Sequence, residues 1–162
     1  MKNKFSFFGK YIPLLSMYSP TKYFSGLSKT KKAKRKTEIS KFGKKHWSDA
    51  TAYVGFKTDK GVKTRKSSYS ATWAKLFPDA KSLPERAKAS GVPLKYIKEC
   101  YNRGLAAWRT GHRLGATQQQ WGYARVSSFL TCGKTHYSTD SDLVEEAVKA
   151  SKSAKKWFSR CD

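Results

Sequence analysis

From Ser82 to Phe158 the chain repeats one pattern: a capping residue, then apolar side chains every three or four positions, then in most cases a glycine. "SLPERAKAS" opens on Ser82 with Glu85 three residues later, the spacing of a capping box. It has Pro84 in its first turn and closes at Gly91. "PLKYIKECYNRGLAAWR" sets Leu94, Ile97, Tyr101, Leu105 and Trp108 on one helical stripe. Gly111 and Gly115 then bracket a loop. Thr117 caps "QQQWGYARVSSFLTC", where Tyr123, Val126, Phe129 and Leu130 share a face and Gly133 is the stop. After Thr139, "DSDLVEEAVKASKSAKKWF" carries Leu143, Ala147, Ala150, Ala154 and Trp157 in one stripe, with acids in the first turn and lysines in the last. With a short helix in "SATWAKLFPDA", ended by Pro78, this predicts a mainly α fold, a small helical domain of about four to five helices.

The N-terminal half reads differently. Residues 1–28 form an aromatic lead punctuated by prolines. Lys29–Lys45 follows with nine basic residues and one Glu, and reads as an extended basic N-terminal arm. Such a run is either a solvated linker or a segment ordered by phosphates or carboxylates on binding. From Asp49 the pattern suggests a short β-hairpin: "TAYVGF" as a strand, "KTDKG" as a turn with Gly61 at the unusual dihedral, and "VKTRKSSY" as the return strand. The expected division is residues 1–45 as arm and 46–162 as the helical domain with the hairpin at its start.

Charge narrows the partner. The chain has 34 basic and 11 acidic residues, a net +23. Residues 1–75 hold 19 bases and 3 acids, and residues 76–162 hold 15 and 8. In the first half only Arg35 and Arg65 are arginines, so diffuse lysine charge dominates there, while oriented guanidinium chemistry belongs to the second half. A compact protein with this excess repels itself. The composition therefore calls for acidic partners: other proteins of a large assembly with acidic surfaces, DNA, or an anionic membrane surface.

Other classes are poorly supported. The N-terminal "MKNKFSFFGKYIPLLSMYSP" mimics a signal peptide briefly, but Lys10 and Pro13 interrupt it and no small-residue cleavage site follows. It reads instead as an amphipathic membrane anchor or a protein-docking arm. Cys100, Cys132 and Cys161 make no paired framework, so a reducing compartment is the default. Cys132 and His136 are four apart with Gly133 between them and no Cys-x-x-Cys pair, a weak basis for zinc. No thiol has a His and an orienting carboxylate nearby in the pattern, and no Gly-rich phosphate loop is present. The expectation is a non-enzyme without cofactor, a reaction built around His112 being a distant alternative.

Two segments carry sharper readings. Ala87, Gly91, Val92 and Ile97 fit the spacing of a helix-turn-helix, although Arg86 and Ser90 stand where that motif expects apolar residues. In "AAWRTGHRLGATQQQWGYARVSSFL", Trp108 and Trp121 read as core. Arg109, His112, Arg113 and Arg125 either bind phosphates or satisfy helix carbonyls and carboxylates within the fold. The candidate partner contacts are thus Lys29, Lys31, Lys32, Lys34, Arg35 and Lys36 of the run, with Arg109, His112, Arg113 and Arg125.

"GVPLKYIKECYNRGLAAWRTGHRLGATQQQWGYARVSSFLTCGKTHYSTDSDL", preceded by "YSPTKYFSGLSKTKKAK", resembles an uncharacterised domain family of large DNA viruses of algae and amoebae (chlorovirus-like), also met in some marine phages. Tyr101–Phe129 is the most specific block, and Leu114 stands where many relatives carry Pro. The resemblance carries no reaction and no catalytic residue. It implies a viral setting, and with the charge it yields the leading expectation: a virion structural protein made in the infected cell's cytoplasm, a minor capsid protein in the inner capsid layer that bridges neighbouring components. The alternative is a DNA-binding, genome-condensing protein using the helix-turn-helix-like unit and the lysine run.

Overall fold

Five of the helices begin on a hydroxyl side chain that accepts a backbone N–H of the first turn: Ser28, Ser67, Ser82, Thr117 and Ser151. These caps satisfy donors that the helix itself leaves unpaired. In order they precede α1 (Lys29–Gly43), α2 (Ser68–Leu76), α3 (Leu83–Ser90), α5 (Gln118–Leu130) and α7 (Lys152–Phe158). The remaining two are α4 (Leu94–Trp108) and α6 (Ser141–Ala150). The computed structural model describes residues 20–162, and among these there is no strand. The expectations for residues 1–19, membrane anchor or docking arm, lie outside the described residues.

The described chain forms two units. One comprises residues up to Thr64 together with Arg109–Ala116, the other Arg65–Trp108 together with Thr117–Asp162. The loop between α4 and α5 belongs to the first unit.

In the second unit α4 packs on α5, α2 on α5, α3 on α4, and α6 on α7. Its core is Trp73, Val92, Ile97, Cys100, Val126, Phe129, Leu130, Leu143, Ala147, Ala154 and Phe158. The α4–α5 crossing is closest at two glycines: a Cβ on Gly104 would stand 2.8 Å from the Gly122 Cα, and one on Gly122 would strike the Tyr101 ring at 2.6 Å. The capping boxes of α3 (Ser82 with Glu85) and α5 (Thr117 with Gln120) are both formed. Gly91 ends α3 in the left-handed conformation, φ 74°.

Four expectations are corrected. The extended arm is instead α1, a helix of 15 residues, because Arg35, Ile39 and Phe42 recur at helical spacing and are buried. The β-hairpin does not form. Asp49 caps a 3₁₀ turn at Ala50–Tyr53, a second 3₁₀ turn spans Lys57–Asp59, and Ser67 starts α2 inside the expected return strand. Gly61 has φ 77°, but in a loop between 3₁₀ turn and helix. Seven α-helices are described rather than four to five: α1 is added, and the expected last helix is broken at Ser151. That residue turns extended (φ −145°, ψ 124°) and caps α7, a competition with helix continuation typical of serine. Finally, the cysteines do pair: Cys132 and Cys161 form a disulfide with Cα atoms 5.2 Å apart, leaving Cys100 free and buried.

Candidate functional site

The first unit is built around a charged hub rather than a large apolar core. Arg35, fully buried on the inner face of α1, donates from one terminal nitrogen to Asp59 Oδ1 (2.9 Å) and Thr58 Oγ1 (2.9 Å), and from the other to the His112 carbonyl (2.7 Å). Asp59 Oδ2 lies 2.6 Å from His112 Nε2, and Asp59 Oδ1 also accepts the Gly115 N–H at 2.9 Å. Burial alone would raise the Asp59 carboxyl. The hydrogen bond and charge of His112, the Gly115 N–H and Arg35 outweigh it and hold the group below its ordinary range. Phe56 stacks edge-on against His112 (4.6 Å) and lies under the Arg35 guanidinium (5.2 Å) and beside Phe42 (5.0 Å). Arg109 donates to the Gly43 carbonyl at the end of α1 (2.9 Å).

The arrangement assigns four of the ten sequence candidates, Arg35, Arg109, His112 and Arg125, to internal work. Arg35, Arg109 and His112 are buried, with His112 at 0% exposure, so an external ligand has no route to its ring. Arg113 is half-buried, and its carbonyl accepts the Ala116 N–H. Arg125, in the second unit, forks onto buried Asp140 at 2.9 and 2.8 Å. Asp140 also faces Arg103 at 3.4 Å and the Cys100 thiol at 3.5 Å. Burial, then the Asp140 charge, push that thiol well above its ordinary value, which makes it a poor nucleophile. Trp108 is buried and Trp121 half-buried. Leu114 is buried.

Sequence reasoning missed Asp59, Thr58 and Glu38. A signal for them existed: residues 1–75 contain only three carboxylates, and each is used to shape the fold. Glu38 accepts the Lys57 N–H (2.6 Å) and the Thr58 hydroxyl (2.6 Å). Asp49 accepts the Thr51 N–H (2.9 Å). Asp59 is the hub. Acids kept in so basic a segment are the ones the fold requires.

What remains outside is lysine. Lys29, Lys31, Lys32, Lys34, Lys36, Lys41 and Lys44 are all exposed on α1 and its C-terminal end. None forms an ion pair among the described residues. Three of them, Lys29, Lys31 and Lys32, sit in the first turn of α1, which has no acid. There they oppose the helix dipole, at roughly 0.3–1 kcal/mol each, so helix stability does not account for their presence.

The helix-turn-helix spacing folds as α3, a Gly91–Pro93 turn, and α4, with Val92, Ile97 and Cys100 buried. Arg86 and Ser90 fill the expected apolar positions from inside: Arg86 donates to Ser127 (2.8 Å) and lies 5.3 Å from the Trp73 ring and 5.0 Å from the Tyr123 ring, and Ser90 bonds its own helix. The outer face of α4 offers Lys95, Lys98 and Asn102. Tyr96 reaches the Glu146 carbonyl (3.4 Å), so exposed Glu145 and Glu146 of α6 lie near the first turn of α4 and would meet an approaching phosphate backbone.

Among the described residues no cluster of three or more metal-ligating side chains occurs, and no helix is long and apolar enough to cross a membrane. No curated protein and no solved structure matches the chain. The model of the family described as "family of unknown function (DUF5824)" matches residues 20–145, a span that takes in both the Asp59 hub and the lysine face, and the chain belongs to that family.

Proposed function

We propose that the protein is a non-enzymatic structural component of a virion, a minor capsid protein of the inner layer that adheres to acidic surfaces of neighbouring components. One observation carries the reading. The buried arginines, the histidine and every acid of the N-terminal half are used within the fold, while seven lysines stand exposed on one anchored helix without a carboxylate partner. Such a surface is suited to charge neutralisation. Lysine suits this adhesive role because it neutralises charge without demanding a fixed geometry from the partner.

The viral setting rests on the resemblance of Tyr101–Phe129, and its test is direct. Purified virions of the encoding virus contain the protein, and cross-linking through primary amines captures Lys29–Lys44 joined to other virion components. Absence from purified virions ends the capsid reading. The genome-condensing alternative retains the lysine run, whereas the α3–α4 unit gives it little help because Glu145 and Glu146 lie near the first turn of α4.

A further inference from the structure

Four of the exposed lysines of α1 fall into two lines, while Lys31 and Lys32 lie nearer the inner face and Lys44 follows the end of the helix. A helix turns about 100° per residue and rises about 1.5 Å. Lys29 and Lys36 are seven residues apart, nearly in line and about 10 Å along the axis. Lys34 and Lys41 repeat the same spacing. The two lines are related by five residues (29 to 34, 36 to 41), or about 140° around the helix. The anchors Arg35, Ile39 and Phe42 occupy the inner face, so the lines flank the outer one. Between them run Thr30, Ala33 and Thr37, all exposed and all small. Glu38, the only acid of the helix, is turned inward onto Lys57 and Thr58.

The geometry points to α1 as a helix that seats against double-stranded nucleic acid, its two lysine lines reaching phosphates on opposite walls of one groove. This rests on the adhesive reading above and names the partner of that same surface. The major groove of B-form DNA is about 12 Å wide and admits an α-helix. Small side chains at the midline let the backbone approach, and lysines on both flanks face the two strands. A single strand would engage one line and leave the other unused. A bilayer surface is flat, and an interfacial helix needs bulky apolar residues on the membrane side. Here the bulky apolar residues Ile39 and Phe42 face inward and the outer midline has only Ala33. Lysine in place of arginine, and threonine and alanine at the midline, imply backbone binding with little sequence preference.

The test is a fluorescence-anisotropy titration of the full chain with a duplex of about 20 base pairs, roughly two helical turns, across a salt series. Four lysines on four phosphates give a log–log salt slope of about 3 to 4, since each phosphate contributes about 0.9. Lys29→Gln/Lys36→Gln and Lys34→Gln/Lys41→Gln should each lower the slope by about 2. Lys95→Gln/Lys98→Gln on α4 should leave binding unchanged. Ala33→Trp keeps every charge but fills the midline, and should weaken duplex binding at least tenfold with helix content unchanged by circular dichroism. Unaltered binding by Ala33→Trp means a diffuse charge cloud and overturns the seated helix. Equal or tighter binding to a single strand of the same length, or to phosphatidylserine vesicles, overturns the duplex assignment, and a loss confined to the Lys95/Lys98 variant moves the site to α4 and overturns it as well. Failure to bind duplex at all sinks this inference while leaving presence in virions, the test of the capsid reading, untouched.

Discussion

His112 Nε2 stands 2.6 Å from Asp59 Oδ2, in the interior of the first unit, while the other Asp59 oxygen holds Arg35 at 2.9 Å. One carboxylate thereby fixes the basic helix α1 and the loop Arg109–Ala116. The lysine face is presented because the helix beneath it is pinned by this acid.

Asp59→Asn should therefore be severe. The amide keeps the shape but removes the charge opposite Arg35, which has no exposed surface through which to recover water. Breaking a buried pair on one side is worth about 3 kcal/mol or more. Urea denaturation should show a midpoint lowered to match. A change under about 1 kcal/mol, the range of an exposed pair, would show that the hub does not hold the unit.

His136 and Asp59 make stability depend on acid in separate windows, the lower one shared with other lowered carboxyls such as Asp142. His136 is lowered from its usual value first by burial, so the folded protein keeps it neutral. Its contribution is complete above the unfolded value near 6.5 and erodes as pH falls below it. Asp59 is also lowered, so its contribution persists above the ordinary carboxylate range and disappears only as pH falls through its depressed folded value. The thermal midpoint should begin to fall below about pH 6.5, and again at strongly acid pH. In His136→Gln the first decline should vanish and the second remain. A wild-type midpoint that is flat from neutrality to pH 5 would contradict this account.

Local signals in the sequence were readable where they were self-contained. The Ser82–Glu85 box, the Gly91 stop and the helices α4 and α5 involve residues within a turn or two of each other and form as the spacing dictates. The buried side of α4 nevertheless runs through Ile97, Cys100, Gly104 and Trp108 and leaves Leu94, Tyr101 and Leu105 half-buried. Long-range ties were not readable. Tyr53, Val54 and Phe56 have strand propensity, but propensity for strands depends on a pairing partner. Among the described residues none exists, and Asp49, Glu38 and Asp59 hold the segment in 3₁₀ turns instead. α1 was hidden because one of its three anchors is an arginine, which hydropathy counts as surface. Of the candidate contacts, Lys29, Lys31, Lys32, Lys34 and Lys36 are exposed. Arg35, Arg109, Arg125 and His112, chosen for their chemistry, had their partners 15 to 77 residues away.

The α4–α5 crossing should tolerate no added methyl. Alanine in a helix normally gains about 1 kcal/mol over glycine. At Gly104 the new Cβ meets the Gly122 backbone at 2.8 Å, and backbone cannot rotate away. Overpacking of this kind costs about 1–3 kcal/mol, so Gly104→Ala should be destabilising on balance. A stabilised variant in a chemical denaturation series would mean that the helices are free to separate there.

The Cys132–Cys161 bond closes a loop between residues 29 apart in sequence. It ties the end of α5 to the last 3₁₀ turn, where Tyr137 donates to the Cys161 carbonyl at 2.6 Å. A loop of that size restricts the unfolded chain by about 3.6 kcal/mol. Oxidised protein should show one thiol, Cys100, that reacts only after denaturation, because that side chain is fully buried. Reduction should expose two more and lower the thermal midpoint, and Cys161→Ser should reproduce the shift and make the midpoint indifferent to reductant. Three reactive thiols in protein purified without reductant would refute the pairing and return Cys132 and Cys161 to the reduced state that their sequence spacing suggested.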